Sequence, residues 1–156
     1  MTSSEPDGLH SHDGHGKPVH WILDTNIVLD LWVFDDPASA ALRAQVQSGA
    51  IVNFATPAMR AELERVLGYP HIAARMQIGK TNATAVMSAF DQFSVCAAEA
   101  PKASCTCKDP DDQKFIDLAV AHTRPLLSKD AAVLCMRARL DKLGVKLNPT
   151  LEKAMA

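Results

Sequence analysis

Short apolar runs alternate with helix-length segments along most of the chain, and this alternation restricts the fold more than any other feature of the sequence. Strands separated by helices are joined by right-handed crossovers, which produce a largely parallel sheet. The sequence therefore predicts an α/β fold with a central, mostly parallel sheet and helices on both faces. The predicted strands cover residues 19–24, 50–55, 93–96, 125–128 and 145–147, and the predicted helices cover residues 25–33, 37–48, 57–68, 81–92, 111–122 and 130–140, with a further helix at the C-terminus.

Composition is consistent with one globular domain behind a short polar segment. The chain has 156 residues, 47% of them apolar, and its 16 basic and 18 acidic residues give a net charge of −2. Residues 1–17 have almost no apolar side chains, so we expect a disordered tail there, a folded domain at residues 18–148 and a terminal helix or tail at residues 149–156. No apolar run approaches the ~18 residues of a membrane span, and no secretory signal is evident. We therefore expect a cytoplasmic protein with no membrane partner.

Carboxylates follow two of the predicted strands. Asp24 stands at the end of the first apolar run, and Asp130 comes shortly after the strand at residues 125–128. A carboxylate at the end of a buried strand is costly unless something compensates its charge. In open α/β sheets, ligand sites lie outside the carboxyl ends of the strands. We therefore expect Asp24 and Asp130 to lie at the same edge of the sheet, where a site would form.

Helix periodicity ranks the acidic residues near position 112. In the predicted helix at residues 111–122, Asp112 lies on the apolar face, whereas Asp117 points nearly opposite and is expected to be a solvated surface residue. Asp111 lies near the same face as Asp112, and Asp109 is within reach in the preceding loop. Asp112 is the preferred candidate, and the other two aspartates remain alternatives.

A fourth acidic candidate lies in the predicted helix at residues 57–68. There, Glu62 is at the border of the apolar stripe, whereas Glu64 lies further round the polar face and can pair with Arg60, so Glu62 is the better site candidate. Helix capping alone would account for Asp111 and Asp130, which stand at predicted helix starts. Capping accounts for neither Asp24 nor Glu62, so the sequence favours a common site.

The grouped acids indicate a class of chemistry. Carboxylates that lie close together repel one another and need a cation or raised pKa values. Mg²⁺ and Mn²⁺ prefer oxygen ligands of this kind and can activate water against a phosphodiester. The chain has no Gly-rich phosphate loop and no nucleophilic Ser or Cys motif, and Asn26 stands where an Asp-x-Asp phosphohydrolase signature would need its second aspartate. By elimination, metal-assisted phosphodiester hydrolysis remains.

Four segments, in order, resemble the motifs of PIN-domain ribonucleases. They are VHWILDTN at residues 19–26, TPAMRAEL at 56–63, KDPDDQKFI at 108–116 and LSKD at 127–130. The third has the form seen in the subgroup described as toxin components of toxin–antitoxin systems. The resemblance implies a three-layer α/β/α sandwich and Mg²⁺- or Mn²⁺-dependent cleavage of single-stranded RNA.

The resemblance also implies roles for individual residues. The catalytic and metal-binding acids would be Asp24, Glu62, Asp112 and Asp130, and the supporting residues would be Thr25, Asn26, Ser128, Asp109 and Asp111. Lys129 directly precedes Asp130, so its ammonium could compete with a metal for that carboxylate.

A toxin of this kind would act with an antitoxin protein, and we expect a homodimer. The apolar run at residues 31–34 suits the core, a dimer interface or an antitoxin groove, and the core is favoured. RNA would reach the acids across a rim of basic side chains. A basic side chain of this kind is more often an ordinary surface charge. The candidates are Arg60, Arg65, Lys108, Lys114, Lys129, Arg137 and Arg139. The alternative function is a PIN-like module that binds RNA or protein without cleaving.

Overall fold

A computed structural model of the chain describes residues 17–155. In this range the strands are β1 (Val19–Leu23), β2 (Ile51–Ala55), β3 (Ser94–Cys96), β4 (Leu126–Leu127) and β5 (Leu147–Asn148). The α-helices are α1 (Thr25–Trp32), α2 (Ala40–Gln47), α3 (Pro57–Leu67), α4 (Pro70–Ile78), α5 (Ala83–Gln92), α6 (Gln113–His122), α7 (Ala131–Leu134), α8 (Arg137–Lys142) and α9 (Leu151–Met155). Short 3-10 turns at Pro37–Ser39 and Pro110–Asp112 lead into α2 and α6.

The strands form a single parallel sheet in the order β3-β2-β1-β4-β5. β1 is the central strand: Val19 pairs with Ile51 of β2 on one side, and Ile22 pairs with Leu126 of β4 on the other. Every strand pairing in the described residues is parallel. This confirms the predicted α/β class, a three-layer sandwich around a central parallel sheet.

The core explains why the central strands read as continuous apolar runs. A parallel strand with helices on both faces must bury side chains in both directions, and Ile22, Leu126 and Leu127 are accordingly buried. The face of α6 predicted to point inward is also buried, including Phe115 and Ile116.

The apolar run at residues 31–34 belongs largely to this core. Leu31 and Val33 are buried. Trp32 is half-buried and stacks on Phe93, with ring centroids 5.5 Å apart. The favoured interpretation of this run, the core, agrees with these contacts.

One helix was not anticipated from the sequence. The predicted helices at residues 57–68 and 81–92 leave no helix between them, but Pro70 is the first residue of α4. Proline suits the first helical position because its missing N–H has no intrahelical partner there. Ile72 and Met76, one turn apart in α4, are buried against the core.

The helix predicted at residues 130–140 is broken into α7 and α8. The backbone N–H of Met136 donates to the carbonyl of Val133 at 2.9 Å, a tight turn that ends α7. Met136 is completely buried, so the chain bends where it places this side chain in the core.

The predicted tail falls almost entirely outside the described residues, which begin at Lys17. Between residues 17 and 155, no helix has the length and apolar character that crossing a membrane requires.

Candidate metal centre

The acidic residues gather at the point where the strand order of the sheet reverses. From β1 the chain continues to β2 on one side, whereas β4 and β5 lie on the other side. Connections that leave in opposite directions open a crevice at the carboxyl ends of the two central strands. Asp24 directly follows β1, and Ser128 directly follows β4. The sheet topology thus creates the crevice, and the first residues beyond the strands line it.

Three carboxylates meet in this crevice. Asp24, Asp112 and Asp130 each offer an oxygen, and these oxygens lie within 4.8 Å of one another. Asp24 has 3% of its surface exposed and Asp112 has 6%, while Asp130 is half-buried. The structure therefore brings together three of the four acids that the sequence singled out as metal ligands.

Local backbone structure directs the three carboxylates inward. The carbonyl of Asp24 accepts hydrogen bonds from the first turn of α1, but its side chain makes no capping bond and stays available. Asp112 ends the 3-10 turn Pro110–Asp112, which is buried at that residue alone. Asp130 is the N-cap of α7 and accepts from the N–H of Ala132 at 2.9 Å. Helix capping thus occupies one carboxylate oxygen of Asp130, whereas the carboxylate of Asp24 caps no helix.

Ser128 links the two strand-end acids. Its hydroxyl donates to Oδ2 of Asp24 and accepts from the backbone N–H of Asp130 at 3.1 Å. The residue is completely buried, so these bonds are shielded from water. Ser128 therefore positions the carboxylate of Asp24 directly and contacts Asp130 through its backbone, and its supporting role stays a prediction.

Burial and neighbouring negative charges raise the pKa values of Asp24 and Asp112. Burial raises the pKa of Asp24 above its ordinary value, and the charges of Asp130 and Glu62 raise it further, while the bond from Ser128 acts the other way. The pKa of Asp112 is raised to about 8, first by burial, then by a hydrogen bond with Asp130 and by the neighbouring negative charges. Among the described residues, Oδ2 of Asp112 is buried without a hydrogen-bond partner. The cluster therefore needs a proton or a cation.

Glu62 lies beside this cluster and not within it. Oε2 of Glu62 accepts from the hydroxyl of Thr25 at 2.6 Å, and Oε1 forms an ion pair with the ammonium of Lys114. Its charge reaches Asp24, whose pKa it raises. Thr25 thus contacts Glu62 and none of the three clustered carboxylates through its hydroxyl, and its supporting role stays a prediction.

The other predicted supporting residues lie at the margin. Asp109 caps the 3-10 turn by accepting from the N–H of Asp111 at 3.0 Å. Asp111 and Asn26 are exposed. Of the acidic run at residues 109–112, it is therefore Asp112 whose carboxylate joins Asp24 and Asp130, in agreement with helix phase.

Two interactions differ from the sequence-based expectation. The ammonium of Lys129 pairs with Asp30, a buried residue of α1, and not with Asp130. Asp117 was predicted to be solvated, but it is half-buried and accepts from the N–H of Ala103 at 2.8 Å. Asp30 lies among the apolar residues of its helix, and a buried carboxylate requires a cationic partner. The apolar neighbours of Asp30 in the sequence therefore already indicated that this carboxylate needs a cation, which Lys129 supplies.

Many of the predicted rim cations have partners on this chain. These contacts are Arg60 with Asp91, Lys114 with Glu62, Lys129 with Asp30, and Arg137 with the carbonyl of Leu147. Arg65, Lys108 and Arg139 are exposed.

Comparison with known proteins agrees with this architecture. The PIN-domain family matches the chain over residues 20–132, a range that contains β4, all of β1 except its first residue, and all three clustered acids. No curated protein matches the chain. PIN domains are generally nucleases and typically bind divalent metal ions. Because the match covers well over half of the 156 residues, this chain belongs to the PIN-domain family.

Proposed function

We propose that this protein is a metal-dependent endoribonuclease that cleaves single-stranded RNA. The observation that carries the proposal is an oxygen of Asp112 that is buried in a cluster with Asp24 and Asp130 and has no hydrogen-bond partner among residues 17–155. A buried anionic oxygen without a donor is costly. A divalent cation would remove that cost and would also relieve the repulsion among the three carboxylates.

The residues present fit Mg²⁺ or Mn²⁺. Hard divalent cations prefer carboxylate oxygens, and Asp24, Asp112 and Asp130 would hold the ion. When bound, it supplies positive charge that makes water a stronger nucleophile and offsets the negative charge of a phosphodiester. Ser128 keeps the carboxylate of Asp24 oriented, and the burial of the crevice strengthens the electrostatic attraction to a cation.

RNA would approach a protein whose overall charge does not attract it. The net charge is −2, so binding must depend on local cations. The exposed Lys108 directly precedes the acidic run, and phosphate contacts of this kind give RNA affinity without sequence preference. A single-stranded RNA is the favoured substrate because its flexible backbone can bend into the crevice at the carboxyl ends of β1 and β4.

The test is cleavage of a single-stranded RNA in Mg²⁺ or Mn²⁺ by wild type and by Asp24→Asn. We expect the variant to lose cleavage by about two orders of magnitude or more, because it removes one ligand charge while keeping the side-chain shape. Asp141→Asn is a matched control, since Asp141 forms an exposed pair with Lys146. If wild type and Asp24→Asn cut RNA equally, or neither cuts it, the ribonuclease proposal is wrong.

A more specific proposal is that the enzyme is the toxin of a toxin–antitoxin pair, acting in the cytoplasm, with a homodimer as its assembly. The form of the KDPDDQKFI segment at residues 108–116 supports this reading. Induced expression in a bacterial host should then arrest growth, and Asp24→Asn should relieve the arrest. Normal growth with soluble, RNA-cleaving wild type would count against a toxin role.

The alternative is a PIN-like module that binds RNA or protein without cleavage. One observation favours it: Lys114 already neutralises Glu62, the fourth acid. A protein that binds single-stranded RNA equally well with and without divalent ions, and leaves it intact, would support this alternative.

A further inference from the structure

We infer that Lys114 is a built-in cation that occupies Glu62, so that the site takes one divalent ion, on Asp24, Asp112 and Asp130, and not two. The inference rests on the metal site of the proposed function. It assigns Glu62 a different role from the one that the family resemblance implies, because Glu62 would shape the charge of the site without being a ligand.

Each carboxylate oxygen of Glu62 has a partner, although Oε1 makes no hydrogen bond within the described residues and is neutralised by an ion pair alone. One oxygen accepts from Thr25, and the other lies against the ammonium of Lys114. The Glu62 side chain has 12% of its surface exposed and that of Lys114 has 22%. An ion pair that is largely removed from water is screened less than one on the surface, so it resists replacement by another cation.

Lys114 is held in place from several directions. Its ammonium also donates to the backbone carbonyl of Asp111 and lies 5.2 Å from the centre of the Phe115 ring. A long lysine side chain with one exposed contact would lose that contact readily. Three converging contacts fix the charge next to the acidic cluster.

The geometry of the acids agrees with a single ion. Oxygens of Asp24, Asp112 and Asp130 approach one another closely enough to share one cation, and Glu62 is not a member of that group. A second ion would need the carboxylate of Glu62, where it would meet the ammonium of Lys114 at short range. Like charges at that distance repel strongly in a partly buried site.

A second lysine, in the segment between β4 and α7, supplies a contrast that serves as a control. Lys129 is also paired with a buried acid, Asp30, and lies directly beside Asp130 in sequence. Its removal changes the charge near the crevice by the same amount but leaves Glu62 paired. Any effect found on removal of Lys114 alone is therefore due to Glu62 and not to net charge.

The experiment counts bound Mn²⁺ by calorimetric titration and by electron paramagnetic resonance of the free ion. We expect one ion per chain for wild type and two for Lys114→Met, whose side chain keeps the apolar stem against Phe115. The second ion should disappear in the double variant Lys114→Met/Glu62→Gln. Lys129→Met should bind one ion. Circular dichroism in EDTA checks that each variant is folded.

Glu62→Gln in the wild-type background tests the inference even if Lys114→Met does not fold. It should still bind one Mn²⁺ with less than about a threefold change in Kd, whereas Asp112→Asn should weaken binding by more than tenfold. Loss of the ion in Glu62→Gln would make Glu62 a ligand and overturn the inference.

Other results separate this inference from the ribonuclease proposal. Two ions in wild type, an unchanged count in Lys114→Met, or a second ion in Lys129→Met would each overturn the role of Lys114 even if RNA is cleaved. One ion in wild type and two in Lys114→Met, with no cleavage of RNA, would uphold that role and overturn only the ribonuclease proposal.

Discussion

Asp112 is the residue at which burial and charge oppose each other most directly. It lies next to two other carboxylates, has 6% of its surface exposed, and keeps one oxygen without a hydrogen-bond partner among the described residues. Its pKa is raised to about 8. At neutral pH the metal-free protein must therefore either bind a proton there or bear a buried negative charge, and both states cost stability relative to an unfolded chain.

Asp112→Asn should stabilise the metal-free protein at pH 8. The folded-state pKa of about 8 exceeds the ordinary value of 3.8, so the folded protein binds more protons between these values. The free energy of unfolding should therefore fall as pH rises through this window and level off above it. One pKa unit corresponds to about 1.4 kcal/mol. We expect a gain on the order of 1–3 kcal/mol from the asparagine, less than the full shift implies, because the pKa of Asp112 depends on the charges of its neighbours.

Urea denaturation in EDTA at pH 4 and pH 8 measures this effect. The two proteins should be about equally stable at pH 4 and diverge at pH 8. Asp141→Asn, which removes an exposed partner of Lys146, should show no gain at pH 8. Equal stability of wild type and Asp112→Asn at pH 8 would show that ionising the buried carboxyl of Asp112 does not destabilise the folded protein.

At the scale of elements, the loop between β3 and α6 is attached to α6 by two polar side chains. Asp117 accepts from the N–H of Ala103 and from the amide of Gln113, both at 2.8 Å. Gln113 in turn accepts from the N–H of Cys107 at 2.6 Å. This loop leads into the turn that presents Asp112, so its attachment positions one wall of the site.

Asp117→Ala should loosen this loop and destabilise the protein by roughly 1–3 kcal/mol, because buried donors lose their acceptor. Urea denaturation gives the stability, and amide hydrogen exchange at Ala103 reports the loop directly. Asp117→Asn keeps one acceptor oxygen of the same shape and should lose less. Unchanged exchange at Ala103 in the alanine variant would contradict the anchoring role.

Element prediction succeeded where the signal is local. The apolar face of α6 and the inward position of Asp112 were predicted from a 3.6-residue period, and both are confirmed. The same period placed Asp117 away from the sheet but could not show that the loop preceding α6 folds back over that side of the helix. Similarly, Pro70 signals a helix start as well as a helix end, and packing against the core decides between them.

For the whole molecule, metal binding and folding should be coupled. The three acids come from the end of β1, the turn before α6 and the segment after β4, so an ion held by all three exists only in the folded state. A ligand at 100 times its Kd stabilises the folded state by about 2.7 kcal/mol. We therefore expect Mg²⁺ at that level to raise the Tm by roughly 5–10 °C for a domain of this size.

Differential scanning calorimetry with and without Mg²⁺ measures this shift. Asp24→Asn should reduce the shift to less than half, while Asp141→Asn should keep it. An equal shift in wild type and Asp24→Asn would show that Mg²⁺ acts elsewhere on the protein.

The sequence by itself determined the α/β class, because alternating strand and helix signals permit few other arrangements. It also determined that Asp24 and Asp130 would lie at one sheet edge, since carboxyl ends of parallel strands point the same way. Only the tertiary structure decided which cation faces which acid. Lys114 meets Glu62, and Lys129 meets Asp30, 99 positions away along the chain. Periodicity reports the face of an element, whereas such pairs depend on how separate elements pack.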